Sequence, residues 1–254
     1  MRLEGVAGIV TGGGSGLGKG VAENLVASGA KVVLLDLNES NLAETCIELG
    51  ENALAALADV RDPDAVSNGL DLCEKEFGDI RFVINCAGVP SSAKIVSRGV
   101  AHDYELWKRV VDINLTGTFN VMRLAAERMV RNSPDAETGE RGVIINTASV
   151  AAFDGQRGHS AYSASKAGII GLSLPVAREL KEFAVRCVAL APGLFETPIF
   201  DDIPEQGVSA LKKSMLYPDR LGRPSEFAAL VHHVITNSYL NASCIRLDGG
   251  ARLN

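Results

Sequence analysis

The residues Val6-Ala7-Gly8-Ile9-Val10-Thr11 run straight into Gly12-Gly13-Gly14-Ser15-Gly16-Leu17-Gly18, and that junction decides the fold. Val6–Thr11 is a short apolar run of the kind that fills a buried strand. The glycines after it permit a tight turn and a close approach of backbone to a bound group. Leu17–Ser28 then carries a helical pattern, which Gly29 closes. A helix that starts at such a turn presents free N–H groups and the positive end of its dipole to a pyrophosphate. A glycine-rich turn alone is a common loop. Between a strand and a helix it has the context that a dinucleotide site requires.

Outward from this junction, apolar β-branched runs alternate with helical patterns. Lys31–Asp36 (KVVLLD), Ala53–Leu57, Arg81–Asn85 (RFVIN), Gly142–Thr147 (GVIINT), Arg186–Leu190 and Cys244–Leu247 read as further strands. Leu42–Leu49, Pro63 to about Phe77, one or two helices within Tyr104–Met129, Ser160–Glu182 and Pro224–Thr236 read as helices. Such alternation implies βαβ units, a parallel sheet and helices on both of its faces. No Pro/Gly/Ser-rich linker divides the chain, so residues 1–254 are expected to form a single α/β domain. Three segments break the rhythm: Val89–Asp103, Arg131–Arg141 and Pro192–Gly222. The last follows a strand, on the edge where open α/β sheets bind ligands, and is expected to be a substrate loop.

The 254 residues are 46% hydrophobic and 22% charged, the composition of a globular protein with a large core. A formal net charge of −6 argues against nucleic acid as a partner. No apolar run reaches the ~20 residues of a membrane helix, so no membrane partner is expected. The first strand begins about five residues in, which leaves no room for a signal or transit peptide. Cys46, Cys73, Cys86, Cys187 and Cys244 are odd in number and lack CxxC spacing, which suggests free thiols in a reducing compartment. The expected location is the cytoplasm, or the mitochondrial matrix in a eukaryote. His102, His159, His232 and His233 have no metal-ligand spacing, and no metal site is expected.

The chemistry is carried by Ser149, Tyr162 and Lys166. Tyrosine and lysine four apart share one face of a helix. A phenol with an ordinary pKa of ~10 is a poor base at neutral pH, and a neighbouring positive charge lowers that value. Ser149 can hold a carbonyl or alcohol oxygen, or cap the turn after its strand. These parts suit proton transfer coupled to hydride transfer. Asp36, ending the second strand, can accept hydrogen bonds from an adenosine ribose and repel a 2′-phosphate, which favours NAD over NADP. Asp59 and Val60 either meet the adenine or precede a helix N-cap. Asn85-Cys86-Ala87-Gly88 ends the fourth strand with small residues against which a cofactor can lie. Lys19 serves either a phosphate or the surface of its helix. His159, three residues before Tyr162, either contacts substrate or belongs to the loop surface.

Taken together, Thr11-Gly12-x3-Gly16-x-Gly18, Asn85-Cys86-Ala87-Gly88, Asn114, Ser149, Tyr162-x3-Lys166 and Pro192-Gly193 resemble the short-chain dehydrogenase/reductase family over essentially the whole chain. The resemblance implies a doubly wound, seven-stranded Rossmann sheet in the order 3-2-1-4-5-6-7. It also implies Tyr162 as acid/base, Ser149 orienting the substrate, Lys166 gripping ribose hydroxyls and tuning Tyr162, and Asn114 holding a water in a proton relay. By the same resemblance, NAD contacts fall on Ser15, Leu17, Asp36, Asp59, Val60, Cys86, Tyr162, Lys166, Phe195 and Thr197. GVIINTASVAAF, AYSASKAG, APGLF and IRLDG are similar to a branch of the family that oxidises 3-hydroxyacyl thioesters of coenzyme A and is also described as acting on 17β-hydroxysteroids. The resemblance therefore implies a small-molecule substrate, an (S)-3-hydroxyacyl-CoA interconverted with its 3-oxoacyl-CoA. A hydroxysteroid, a small polyol, a carrier-protein-bound 3-oxoacyl group, or a low-turnover NAD-binding scaffold are the competing readings. Glu196, Asp201 and Asp202 put negative charge in the substrate loop, while Lys94, Arg98, Lys212 and Lys213 offer compensating charge. Ala164, Ala167, Gly168 and Gly171 resemble the helix interface of family homotetramers, or pack within the subunit.

Overall fold

The structure, a computed structural model, describes residues 1–198 and 215–252. Its strands are β1 (Ala7–Thr11), β2 (Lys31–Asp36), β3 (Ala53–Leu57), β4 (Ile80–Asn85), β5 (Gly142–Thr147), β6 (Val185–Pro192) and β7 (Cys244–Leu247). They alternate with helices α1 (Gly16–Ala27), α2 (Glu39–Leu49), α3 (Pro63–Phe77), α4 (Tyr104–Val111), α5 (Thr118–Met129), α6 (Ser160–Glu179) and α7 (Pro224–Thr236). Local chemistry explains several of these boundaries. Asp62 accepts hydrogen bonds from Asp64 N and Ala65 N, and Pro63 occupies the first turn of α3, where no N–H partner is needed. Gly50 and Gly78 stop α2 and α3 at positive φ (71° and 89°).

The seven strands form one parallel sheet in the order β3-β2-β1-β4-β5-β6-β7, as the resemblance implied. Registers such as Thr11↔Leu35, Thr11↔Asn85, Asn85↔Asn146 and Thr147↔Leu190 bring the strand C-termini to one edge. The order reverses between β1 and β4, and a crevice opens there. Alternate residues of each strand feed two cores. Val10, Leu34, Ile84 and Val188 face Leu25 of α1 and Phe227 and Val231 of α7. On the other face, Ile9, Val33, Val83 and Ile144 meet Leu70 of α3 and Val121 of α5. Each fully buried side chain of this size contributes about 1.5–3 kcal/mol. Where α1 crosses α7, a Cβ on Gly20 would lie 2.7 Å from Pro224 Cβ, so only glycine permits that approach.

Tyr104–Met129 is one helical run interrupted by a π-helical turn, Asp112–Gly117. β6 extends two residues beyond the Arg186–Leu190 expected from sequence, to Pro192, because β7 pairs with it as far as Pro192↔Leu247. The long helix ends at Glu179, and Lys181–Phe183 form a separate 3-10 turn. Within Val89–Asp103, expected to be irregular, Val96–Ser97 and Val100–Ala101 pair as an antiparallel hairpin. Arg98 and Gly99 turn it at φ 50° and 79°, the pair of left-handed residues that a tight hairpin demands. Of the Pro192–Gly222 segment, expected to be a substrate loop, the stems are described. They meet in a bridge, Phe195↔Gly222, and Asp201, Asp202, Lys212 and Lys213 lie outside the described residues.

Candidate active site

The glycine-rich turn is built by contacts that exclude side chains. A Cβ on Gly18 would lie 2.1 Å from the Gly12 carbonyl oxygen, and Gly12, at φ 66°, would place one 3.0 Å from Ala87 N. Helix α1 follows with Ser15 as N-cap, whose side chain makes no capping bond, and with no acid in the first turn. Its first N–H groups are thus left to an anion. Asp36 is aimed from the neighbouring strand. One carboxylate oxygen accepts Gly14 N (3.0 Å) and the other accepts Asn38 N (3.0 Å), so its orientation is fixed beside the turn. Lys19 is committed to Glu48 on α2, which favours its surface reading.

Asp59 lies just beyond β3, half-buried. Arg61 holds its carboxylate through backbone N (2.9 Å) and guanidinium, and lowers its pKa below the ordinary carboxylate value. Asp62, not Asp59, caps α3. Val60 is buried against Gly117, and its carbonyl accepts Asn120 Nδ2 at 2.9 Å. Thr11 supplies a contact that sequence reading missed. Its buried hydroxyl oxygen accepts both Cys86 N and Ala87 N at 3.1 Å, locking the end of β4 to that of β1. A threonine at a strand end gives no signal of this, because the partners are more than seventy residues away. Asn85 donates to Asn146 Oδ1 (2.8 Å), and its own Oδ1 is buried without a partner among the described residues. Cys86 accepts the Thr147 hydroxyl, and burial pushes its thiol up to about 11, so it is a packed thiol and not a reactive one.

On the other side of the crevice, α6 carries Tyr162 and Lys166 on one face. Lys166 is buried; its ammonium donates to the Thr147 carbonyl at 2.7 Å and stands 5.8 Å from the Tyr162 ring centre. Burial lowers its pKa to about 8. The phenol behaves otherwise than the sequence suggested. Burial raises Tyr162 above its ordinary value of 10, and the Ser149 hydroxyl draws it only part of the way back. The low-dielectric wall opposes both tyrosinate and ammonium. Ser149 fulfils both of its readings: its Oγ accepts Ala151 N (3.1 Å), capping a 3-10 turn, and it faces the phenol.

Asn114, in the π-helical turn, is wholly buried. Its side chain clamps the Val89 peptide (Oδ1 to N 2.8 Å, Nδ2 to O 3.0 Å) and reaches Ser165 Oγ at 3.2 Å. Gly88 leaves open the space between Asn114 and Lys166: a Cβ there would lie 3.1 Å from Asn114 Oδ1 and 3.5 Å from Lys166 Nζ. Beyond β6, Pro192-Gly193 packs on Asp248, and Phe195 is buried edge-on against Phe227 (6.1 Å). Thr197 lies over the glycine turn; a Cβ on Gly16 would be 3.4 Å from its Cβ and Cγ2. Two strand ends, a helix N-terminus with free donors and a cradle of missing Cβ atoms therefore fit a dinucleotide, with Tyr162 and Ser149 beside its far end.

A sequence model of the family described as short chain dehydrogenase matches residues 7–207. The chain belongs to that family. It is 47% identical over 253 residues to the human protein 3-hydroxyacyl-CoA dehydrogenase type-2, covering 99% of this chain and 97% of that one. The Drosophila melanogaster protein of the same name is 46% identical over 247 residues, covering 96% of each. The crystal structure of 3-hydroxyacyl-CoA dehydrogenase type-2 from Mycobacterium avium superposes with a TM-score of 0.94 at 35% identity, covering 98% of this chain and 97% of that one.

As a short-chain dehydrogenase the protein is an oxidoreductase acting on CH–OH groups, with a nicotinamide cofactor. Among the described residues, no helix is long and apolar enough to cross a membrane, and no cluster of His, Cys, Asp and Glu could hold a metal ion.

Proposed function

We propose that the chain is an NAD-dependent dehydrogenase interconverting (S)-3-hydroxyacyl-CoA and 3-oxoacyl-CoA. The observation that carries this reading is the full-length similarity to the human 3-hydroxyacyl-CoA dehydrogenase type-2 in a chain that keeps Ser149, Tyr162 and Lys166 in working geometry. In oxidation, Ser149 hydrogen-bonds the substrate hydroxyl and Tyr162 accepts its proton as the carbon gives up hydride. When bound, the nicotinamide supplies the hydride acceptor. Lys166 binds ribose hydroxyls, and its charge favours the tyrosinate that takes up the substrate proton and becomes neutral tyrosine. Asn114 has its side chain committed to Val89 and Ser165, so a relay water is left its backbone carbonyl, which also accepts the Thr118 hydroxyl.

The fixed Asp36 carboxylate supports NAD over NADP, because a 2′-phosphate would meet a like charge. Gly12, Ser15, Gly16, Leu17 and Gly18 hold the pyrophosphate. Asp59, Val60, Asn85, Cys86, Ala87, Gly88, Pro192, Gly193, Phe195 and Thr197 complete the wall. Residues 1–254 act as one domain, with about 192–222 as its substrate loop. Ala164, Ala167, Phe119 and Leu174, all exposed, support a homotetramer joined across α5 and α6. Five unpaired thiols support a reducing compartment, the cytoplasm or the mitochondrial matrix.

The test is NADH oxidation at steady state with acetoacetyl-CoA, and with a steroid ketone in parallel. Rapid, saturable turnover of the thioester is the expected result. Tight NADH binding without thioester turnover would keep the cofactor and remove the substrate.

A further inference from the structure

Lys166, Tyr162 and His159 stand at i+7, i+3 and i, so they line one face of α6. Their surroundings grade along that face. Lys166 is buried at the sheet edge, whereas Tyr162 and His159 are partly exposed, with His159 at the open end as N-cap. Three residues of helix rise ~4.5 Å. The His159 ring stands edge-on to that of Tyr162, with centres 6.3 Å apart and planes at 69°. Its backbone is held from the opposite wall, where the Gly158 carbonyl accepts Ala93 N at 2.8 Å. The ring makes no capping hydrogen bond. Burial lowers its pKa below 6.5, so at neutral pH it is an uncharged imidazole with one donor and one acceptor nitrogen.

This row has the order that a substrate needs. Lys166 stands where the ribose is gripped, Tyr162 meets the reacting oxygen, and the next polar side chain outward is His159. In a 3-oxoacyl thioester, the second oxygen sits two carbons from the reacting carbon, about 2.5 Å along the chain. With its own C=O bond and a hydrogen bond of about 2.8 Å beyond it, that oxygen spans the ~4.5 Å step of the row. We propose that His159 is a specificity-determining residue that hydrogen-bonds this second oxygen, the thioester carbonyl, and so selects 3-oxoacyl and 3-hydroxyacyl thioesters over simple ketones and alcohols. The assignment rests on the acyl-CoA reading above and deepens it.

The test compares acetoacetyl-CoA with S-(3-oxobutyl)-CoA, the thioether in which a methylene replaces the thioester carbonyl. Both keep the reacting ketone and the CoA moiety. The wild-type protein is expected to prefer the thioester in kcat/KM. His159→Phe keeps a flat ring but no hydrogen bond, and is expected to cut that preference about tenfold, chiefly through KM for the thioester. His159→Gln keeps a donor and an acceptor and is expected to restore most of it. An unchanged preference in His159→Phe, or equal losses on both ketones, overturns the inference. No thioester turnover by the wild-type protein overturns the acyl-CoA reading itself, a result distinct from either of those.

Discussion

Replacing Lys166 with methionine separates what the fold needs from what the chemistry needs. Burial lowers the lysine from 10.5 to about 8; at about 1.4 kcal/mol for each tenfold change in proton affinity, the charged form costs the folded protein about 3 kcal/mol. Methionine removes that cost and fills similar volume, but leaves the Thr147 carbonyl without its 2.7 Å donor, a loss of about 1–3 kcal/mol. At pH 7 the variant is therefore expected to be as stable as the wild type, or more so by about 1–2 kcal/mol. Turnover is expected to fall at least ~100-fold. The pH dependence carries the sign. Between about 8, the folded value, and the ordinary 10.5, the unfolded chain holds a proton that the folded chain has released, so wild-type stability rises with pH across that window. From pH 7 to 9.5 the wild type should gain about 2 kcal/mol on the variant, or about 4–8 °C in Tm for a chain of this size. The assay is thermal unfolding of both proteins at the two pH values, with turnover measured at pH 7. A variant ~3 kcal/mol less stable at pH 7, or a stability gap that does not move with pH, would refute the reasoning.

Other substitutions probe the remaining parts. Tyr162→Phe is expected to lose at least ~100-fold in kcat while NADH binding, followed by fluorescence, stays within a factor of about two; near-normal turnover would remove Tyr162 as the acid/base. Asp36→Ala is expected to lower the ratio of kcat/KM for NAD over NADP at least ~10-fold, the scale of one charge-assisted contact, and an unchanged ratio would discard its role. Thr11→Val, almost isosteric, strands the Cys86 and Ala87 N–H groups. It is expected to cost about 2–5 kcal/mol, seen as a fall in Tm of at least ~5 °C; a Tm within about a degree of wild type would show that those bonds contribute little.

What the sequence revealed and what it hid divide on physical grounds. KVVLLD and GVIINT were placed to the residue, because a sheet covered on both faces needs long apolar runs. The glycine turn was legible because only glycine survives where Gly12 and Gly18 touch. The hairpin around Arg98-Gly99 was hidden, since its strands are two residues long and exposed. The clamp of Asn114 on Val89, and the hydroxyl of Thr11 between β1 and β4, were hidden because they form only after distant segments meet. The acid/base pair was visible at i and i+4, yet spacing says nothing of burial. Burial sets Tyr162 above 10 and Lys166 near 8.

The stems of the segment between Leu194 and Gly222 hold each other. Glu196 N donates to the Gly222 carbonyl and Gly222 N to the Leu194 carbonyl, both at 2.8 Å, and the Phe195 ring fills the space that a Cβ on Gly222 would take. The ends of the intervening chain are thereby already together, and doubling its length adds only about 0.6 kcal/mol of closure entropy. The site thus has a socket. New sequences can be grafted between Thr197 and Leu221 while Thr197 still rests on Gly16 and the glycine turn beneath it keeps its shape, so under the proposed function a single segment can be exchanged without disturbing the cofactor half.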